Sequence, residues 1–293
     1  MIKRRTLASP RVLEGIGLHS GAPVRMHMTP APAGTGIVFV RTDLKDARIP
    51  ALIENAGPSF YATVLEKNGA TVSTIEHLMA ALYAMQVDDL SIELDAGEAP
   101  ILDGSARPFV EAILAAGFKE HDAVREYIHI TRPLTVTHED KRISVHPCPE
   151  YRVTYAIDFD HPALGYQELT ASLWRADQFA DKLAPARTFT FEQEVARLRE
   201  RGLALGGSLD NAVVLGTDGV LNPPLRFADE FVRHKMLDLT GDLSLLGRPL
   251  RGHVVAYRAG HDLHARLAHA IADAKDAWYL APWTEAAAES PAP

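Results

Sequence analysis

Apolar residues recur at Ile75, Leu78, Met79 and Leu82 in the stretch STIEHLMAALYAMQ, the spacing of one buried helix face, and predict a helix capped by Ser73 or Thr74. DDLSIEL, 88–94, alternates as a half-buried strand does, and RPFVEAILAAG predicts a second helix ending at Gly117. Before them, RTLASPRVLEGIG, VRMHMTPAP and GTGIVFVRTDL read as short strands punctuated by Gly and Pro. The mainly polar run FKEHDAVRE, 118–126, reads as a linker.

The second half opens on strands again, in EYIHITRPLTVTHEDKRISVHP and YRVTYAIDFD. FEQEVARLRERG predicts a charged amphipathic helix, and the glycines of LALGGSLDNAVVLG a tight turn leading into a strand. A helix over DEFVRHKMLDLTGDLSLLG, a strand in GHVVAYR and a closing helix in HDLHARLAHAIADA follow, and the tail TEAAAESPAP reads as frayed. A histidine-bearing helix, a short strand and another helix therefore occur twice, in 73–117 and in 229–274. His77 and His234 stand 157 positions apart, and the following helices, near Ser105 and His261, 156 apart. That repeat predicts an α+β fold of two similar domains, 1–122 and 123–293, with the two histidine helices in equivalent places and able to face each other.

Composition narrows the chemistry. A net charge of -8 provides no electrostatic footprint for duplex nucleic acid, so no nucleic-acid partner is expected. The opening MIKRRTLASPRVLEG lacks the apolar run of a secretory signal, and no segment approaches ~18 uninterrupted apolar residues, so a cytoplasmic protein without stable membrane insertion is expected. The single cysteine, Cys148, excludes an internal disulfide and any multi-cysteine metal site; a metal would have to be held by histidine and carboxylate.

His234, Asp238 and Asp242 follow at four-residue intervals, on a different face from Val232, Met236, Leu239 and Leu243. A solvated His–Asp pair is the ordinary reading of that spacing. Side chains one turn apart can also converge on an ion ~2 Å from each donor, and His77 on the facing helix is then the natural third ligand. Glu76, directly before it, would stand where a general base must, and three protein ligands leave one coordination position open, as in catalytic rather than structural zinc sites. His261, after Gly260, reads either as a polar residue at a helix start or as a protonated imidazole that delivers a proton to a leaving amine, with Asp242 orienting it. Asp103 and Ser105 in LDGSARPF read as a turn and cap, Thr188 in PARTFTF as a strand or turn hydroxyl, and Lys235 as a solvated lysine.

Taken together, IKRRTL, GIGLHSG, RTDL, STIEHLMAAL, PILDGSARPF, IDFDHPAL, ARTFTFEQEV, RGLALGGSLDNAVV, LRFADEFVRHKMLDLTGDLSLLG and AYRAGHDLH resemble the zinc-dependent UDP-3-O-acyl-N-acetylglucosamine deacetylases, which act early in lipid A synthesis. The resemblance covers nearly the whole chain; AGPSFYATVLEKNGAT, 56–71, follows the family only loosely. It implies two similar domains, each a small sheet packed with helices, with the helices sandwiched between the sheets and the site at the junction. It implies Zn2+ held by His77, His234 and Asp238, Glu76 as base, and His261 as acid with Asp242 behind it. Thr188 would assist the developing oxyanion, and Lys235 would lie near the reacting carbonyl. Phe189, Lys141 and His19 would contact a UDP-linked 3-O-acyl-N-acetylglucosamine. An insert at about 190–222 would form a hydrophobic passage for the acyl chain. The reaction implied is hydrolysis of the 2-acetamido group to acetate and a free amine, by a monomer. A zinc deacetylase of another N-acetyl substrate, or a non-catalytic acyl-sugar binding module, are the readings set against it; an open three-ligand site flanked by Glu76 and His261 argues against the second.

Overall fold

The computed structural model of the protein describes residues 1–59, 61–173 and 175–283. The expected frayed tail, 284–293, lies outside the described residues. Six α-helices occur among those described: α1 (Glu76–Ala84), α2 (Arg107–Ala116), α3 (Ala176–Lys182), α4 (Glu192–Glu200), α5 (Glu230–Leu243) and α6 (His261–Asp273).

The repeat read from the helices extends to the strand order. In the first half the strand Leu90–Leu94, between α1 and α2, runs antiparallel to Pro23–Pro30 and parallel to Ile37–Arg41; hairpin partners Arg11–Ile16 and Ala47–Pro50 close the edges. In the second half Leu250–Tyr257, between α5 and α6, runs antiparallel to Lys141–His146 and parallel to Tyr151–Phe159, with Leu134–His138 and Gly165–Ser172 as the outer partners. The chain thus builds one five-strand path twice, in an α+β fold of two like halves.

Each sheet turns an apolar face to the helices. Leu90, Ile92 and Leu94 are buried while Ser91 and Glu93 are partly exposed, the period-2 signature of a half-covered sheet. Between the sheets α1 and α5 pack on each other, which is why both are buried nearly all round: every residue of α1 except Tyr83 is buried, and every residue of α5 except Arg233 and Lys235. Gly241 makes that approach possible. A Cβ there would fall 2.1 Å from the Glu76 carbonyl oxygen, so only a residue without a side chain lets the first turn of α1 sit against α5.

Two expectations are corrected. The run 118–126 is no linker: Phe118–Val124 is a strand paired antiparallel with Lys3–Leu7, as Trp278–Pro282 pairs with Glu126–Ile130 in the second half. Lys119, Glu120 and Asp122 project to solvent while the backbone is satisfied by the neighbouring strand, so polarity alone misled. The expected division after residue 122 lies within that strand, and Arg125, just beyond it, is buried and bonded through Nε to Asp88 Oδ1 at 2.8 Å. Nor does Ser73 or Thr74 cap α1. Ser73 ends a strand, and Thr74, at φ +57°, donates its hydroxyl to Glu98 Oε1 at 2.7 Å.

Candidate active site

The packing of α1 on α5 sets the site. Glu76 and His77 occupy the first turn of α1, and His234, Lys235, Asp238 and Asp242 follow along one side of α5. Nε2 of His77 lies 3.6 Å and Nε2 of His234 3.2 Å from Asp238 Oδ1, and the imidazoles meet edge to face with centroids 4.9 Å apart. Three donors each ~2 Å from one ion at tetrahedral angles stand roughly 3.3 Å apart, so these separations match a shared ion. Asp238 Oδ1 is buried with no hydrogen-bond partner, a costly state for a carboxylate oxygen unless a cation completes it. Its other oxygen accepts from Lys235 Nζ at 2.8 Å.

His234 is oriented from behind. His234 Nδ1 lies 3.1 Å from the Ala186 carbonyl oxygen, which fixes the proton there and turns the Nε2 lone pair toward the site. Burial, only partly opposed by Asp238, pulls His234 down to about 4, so the ring is neutral at pH 7 and free to ligate. Burial works against the charge on Asp238 too, but His234 and Lys235 outweigh it and hold the carboxyl well below its usual range. Two nitrogens and a carboxylate oxygen therefore offer a divalent ion a pre-ionised site.

Beyond the three donors lies a second buried cluster. Asp242 Oδ2 accepts from His261 Nδ1 and from His264 Nδ1, each at 2.7 Å. Asp242, His261 and His264 also have the spacing of a metal-binding trio. His264 is spoken for on both nitrogens, however, since its Nε2 meets the Tyr155 hydroxyl at 3.1 Å, so the cluster reads as a hydrogen-bonded relay. Burial disfavours a charged His261, yet the adjacent Asp242 carboxylate outweighs it and raises the imidazole to about 9. The Glu76 carboxyl is raised as well: burial pushes it up, against the pull of His261 and His77.

A cavity of about 400 Å³ opens over both clusters, and Glu76, His77, His234, Lys235, Asp238 and His261 line its floor. Thr188, Phe189 and Lys141 also line it. Asp242 stays behind His261, and His19 lies outside the lining, its ring nitrogens buried without partners and its centroid 6.4 Å from that of Tyr61. The segment 186–189 works residue by residue. Ala186 holds His234, Arg187 forms a buried bidentate pair with Glu230 at the start of α5, and Thr188 and Phe189 face the cavity. Thr188 is in turn fixed by its backbone, donating to Gly104 O at 2.8 Å and accepting from Val213 N at 2.8 Å. Gly104 itself sits at φ +79°, where a Cβ would fall 1.9 Å from Asn211 O. The turn read as a simple cap in LDGS is thus a buttress that ties the first half to the segment carrying Thr188.

Three functional neighbours escaped the sequence reading. His264 had a visible signal, standing one turn after His261 in HDLH; Ala186 acts through its backbone and had none. Thr63 lies in the loosely matching stretch 56–71, yet its backbone N–H donates to Glu76 Oε2 at 3.0 Å and its hydroxyl donates to Asp242 Oδ1.

Comparison with known proteins places the whole chain in a family. The family model described as LpxC, UDP-3-O-acyl N-acetylglycosamine deacetylase, matches residues 4–273. A protein of Syntrophotalea carbinolica named UDP-3-O-acyl-N-acetylglucosamine deacetylase is 46% identical, over 98% of this chain and 93% of its own. Proteins of the same name from Myxococcus xanthus and Thermosynechococcus vestitus are 46% and 47% identical, over 95% and 92% of this chain and 89% and 94% of theirs. The matched region begins at the first paired strand and ends with α6, so it takes in both halves and every residue of the two clusters; the chain belongs to the UDP-3-O-acyl-N-acetylglucosamine deacetylase family.

Proposed function

We propose that the protein removes the 2-acetamido group of a UDP-linked 3-O-acyl-N-acetylglucosamine by hydrolysis, an early step of lipid A synthesis, with Zn2+ held by His77, His234 and Asp238. The observation that carries this reading is the buried, unpartnered Asp238 Oδ1 facing two imidazole nitrogens on a cavity floor that also presents Glu76 and His261. When bound, the ion would polarise the amide carbonyl and acidify the attacking water.

The chain's own residues supply the proton transfers. Glu76, its affinity for protons raised by burial, takes a proton from the attacking water as the new C–O bond forms. The Thr188 hydroxyl donates to the oxyanion that develops on the former carbonyl oxygen, and Lys235, near the same atom, adds positive charge. His261, charged at neutral pH because Asp242 holds its Nδ1–H, gives the Nε2 proton to the leaving nitrogen. The C–N bond breaks, and acetate and the free amine leave.

The cavity walls support the substrate's other parts. Lys141 and Arg258 are further lining cations, suited to a diphosphate, while Leu18, Ile157, Phe159, Phe189 and Phe191 form an apolar side suited to an acyl chain. The element at 190–222 reaches this side: Leu205 N donates to His19 O at 3.1 Å and Gly206 N to Leu18 O at 3.0 Å. Among the described residues no helix is long and apolar enough to cross a membrane, and a cytoplasmic, nucleotide-sugar enzyme is the reading that fits the substrate class. Acetate release from the 3-O-acyl substrate and from its analogue without the acyl chain tests the assignment. A large loss of kcat/KM with the truncated analogue is expected, and equal turnover of both would favour a deacetylase of another N-acetyl substrate.

A further inference from the structure

We propose that Thr63 is a positioning residue that sets the geometry of the general base and of the general acid's partner at once. This rests on the roles given above to Glu76 and His261. Thr63 is buried, and it hydrogen-bonds both Glu76 and Asp242. Its backbone N–H donates to Glu76 Oε2 at 3.0 Å and so fixes one oxygen of that carboxylate. Its hydroxyl donates to Asp242 Oδ1, while Oδ2 of the same carboxylate accepts from His261 and His264. With one oxygen tethered to Thr63 and the other to two imidazoles, the Asp242 carboxylate plane has no freedom to turn, and the His261 ring behind which it stands is fixed with it. Thr63 Oγ1 lies 3.3 Å from His261 Nδ1, close enough to sense that ring directly.

The local fold explains how one residue reaches both. Val64–Lys67 and Ala70–Ser73 form a two-stranded hairpin in which Val64 pairs with Ser73, and the second strand runs straight into α1. Thr63 precedes Val64 and is therefore held beside the start of the helix that carries Glu76. Gly57 N donates to Val64 O at 2.9 Å and pins the hairpin from its other edge. Asp242 arrives from α5 through the close approach that Gly241 allows.

Two variants separate positioning from packing. Thr63→Val keeps the shape and the backbone N–H but removes the hydroxyl; Thr63→Ser keeps the hydroxyl on a smaller side chain. Thr63→Val is expected to lower kcat roughly 10- to 100-fold, the scale of a small misplacement of a reacting group, with KM and bound metal unchanged. The downfield imidazole N–H resonance of His261, assigned by its disappearance in His261→Ala, should shift or exchange faster in Thr63→Val, and Thr63→Ser should restore both resonance and kcat. Wild-type kcat with an unmoved resonance in Thr63→Val would overturn the proposal, as would loss of metal in step with activity or failure of Thr63→Ser to rescue. If Glu76→Gln and His261→Ala are both fully active, the base and acid roles themselves fall; if both are impaired while Thr63→Val is not, only the positioning role falls.

Discussion

One oxygen of Asp242, Oδ2, accepts from both His261 and His264 at 2.7 Å, and this shared carboxylate keeps a buried imidazole charged. Burial alone would lower His261; Asp242 raises it to about 9. With His261 as the proposed acid, the rate should fall as pH rises through about 9. Asp242→Asn removes the charge that opposes burial and should bring this basic limb down by more than one pH unit, with turnover at pH 7.5 reduced on the order of 10²-fold. A pH profile of kcat/KM for both proteins measures it. An unmoved basic limb in the variant would assign that limb to another group.

The same pair links pH to stability. His261 has a folded-state affinity for protons above its unfolded value of 6.5, so its contribution is fully present below about pH 6.5 and is lost as pH rises through about 9. Thermal melts between pH 6 and pH 10 should show the wild-type protein losing more Tm across that window than His261→Gln does. Parallel curves would contradict the linkage.

Gly241 makes a structural prediction that reaches the site. Gly241→Ala places a Cβ against the Glu76 carbonyl, so α1 must move from α5 or α5 must bend. A destabilisation of about 1–3 kcal/mol, the usual range for overpacking, is expected in denaturant titration, together with lower metal affinity because His77 moves with Glu76. Wild-type stability in this variant would mean the helices can part without cost.

Thr188 faces the cavity from a segment fixed by Gly104 and Val213. Thr188→Val should lower kcat by roughly 10²-fold or more with little change in KM, as removal of an oxyanion donor does. A rise in KM at constant kcat would instead make Thr188 a ground-state contact.

Much of this was legible in the chain because helix periodicity carries it. The i, i+4, i+8 placement of His234, Asp238 and Asp242 put three functional groups on one side of α5, and the distance from His77 to His234 pointed to a facing helix. What the pattern hid was the environment: His234, Asp238 and Asp242 look like a solvated stripe, but α5 is enclosed on nearly every side and the stripe faces α1. Backbone chemistry was also invisible. The Ala186 carbonyl and the Thr63 N–H belong to residues whose side-chain types give no hint of these bonds, and the strand at Phe118–Val124 is paired through its backbone with Lys119, Glu120 and Asp122 outward. Thr63 lay in a stretch without helical or strand periodicity strong enough to fix its place beside α1.

The central claim is that Glu76 moves protons at a metal site it does not itself form. Acetate release from a UDP-linked 3-O-acyl-N-acetylglucosamine, measured beside the bound-metal content of the wild-type protein and of Glu76→Gln, tests it most directly. The account predicts undiminished metal in the variant with activity reduced by about 10²- to 10⁴-fold, the span of a positioned general base. Full activity in Glu76→Gln, or loss of metal in proportion to activity, would contradict it.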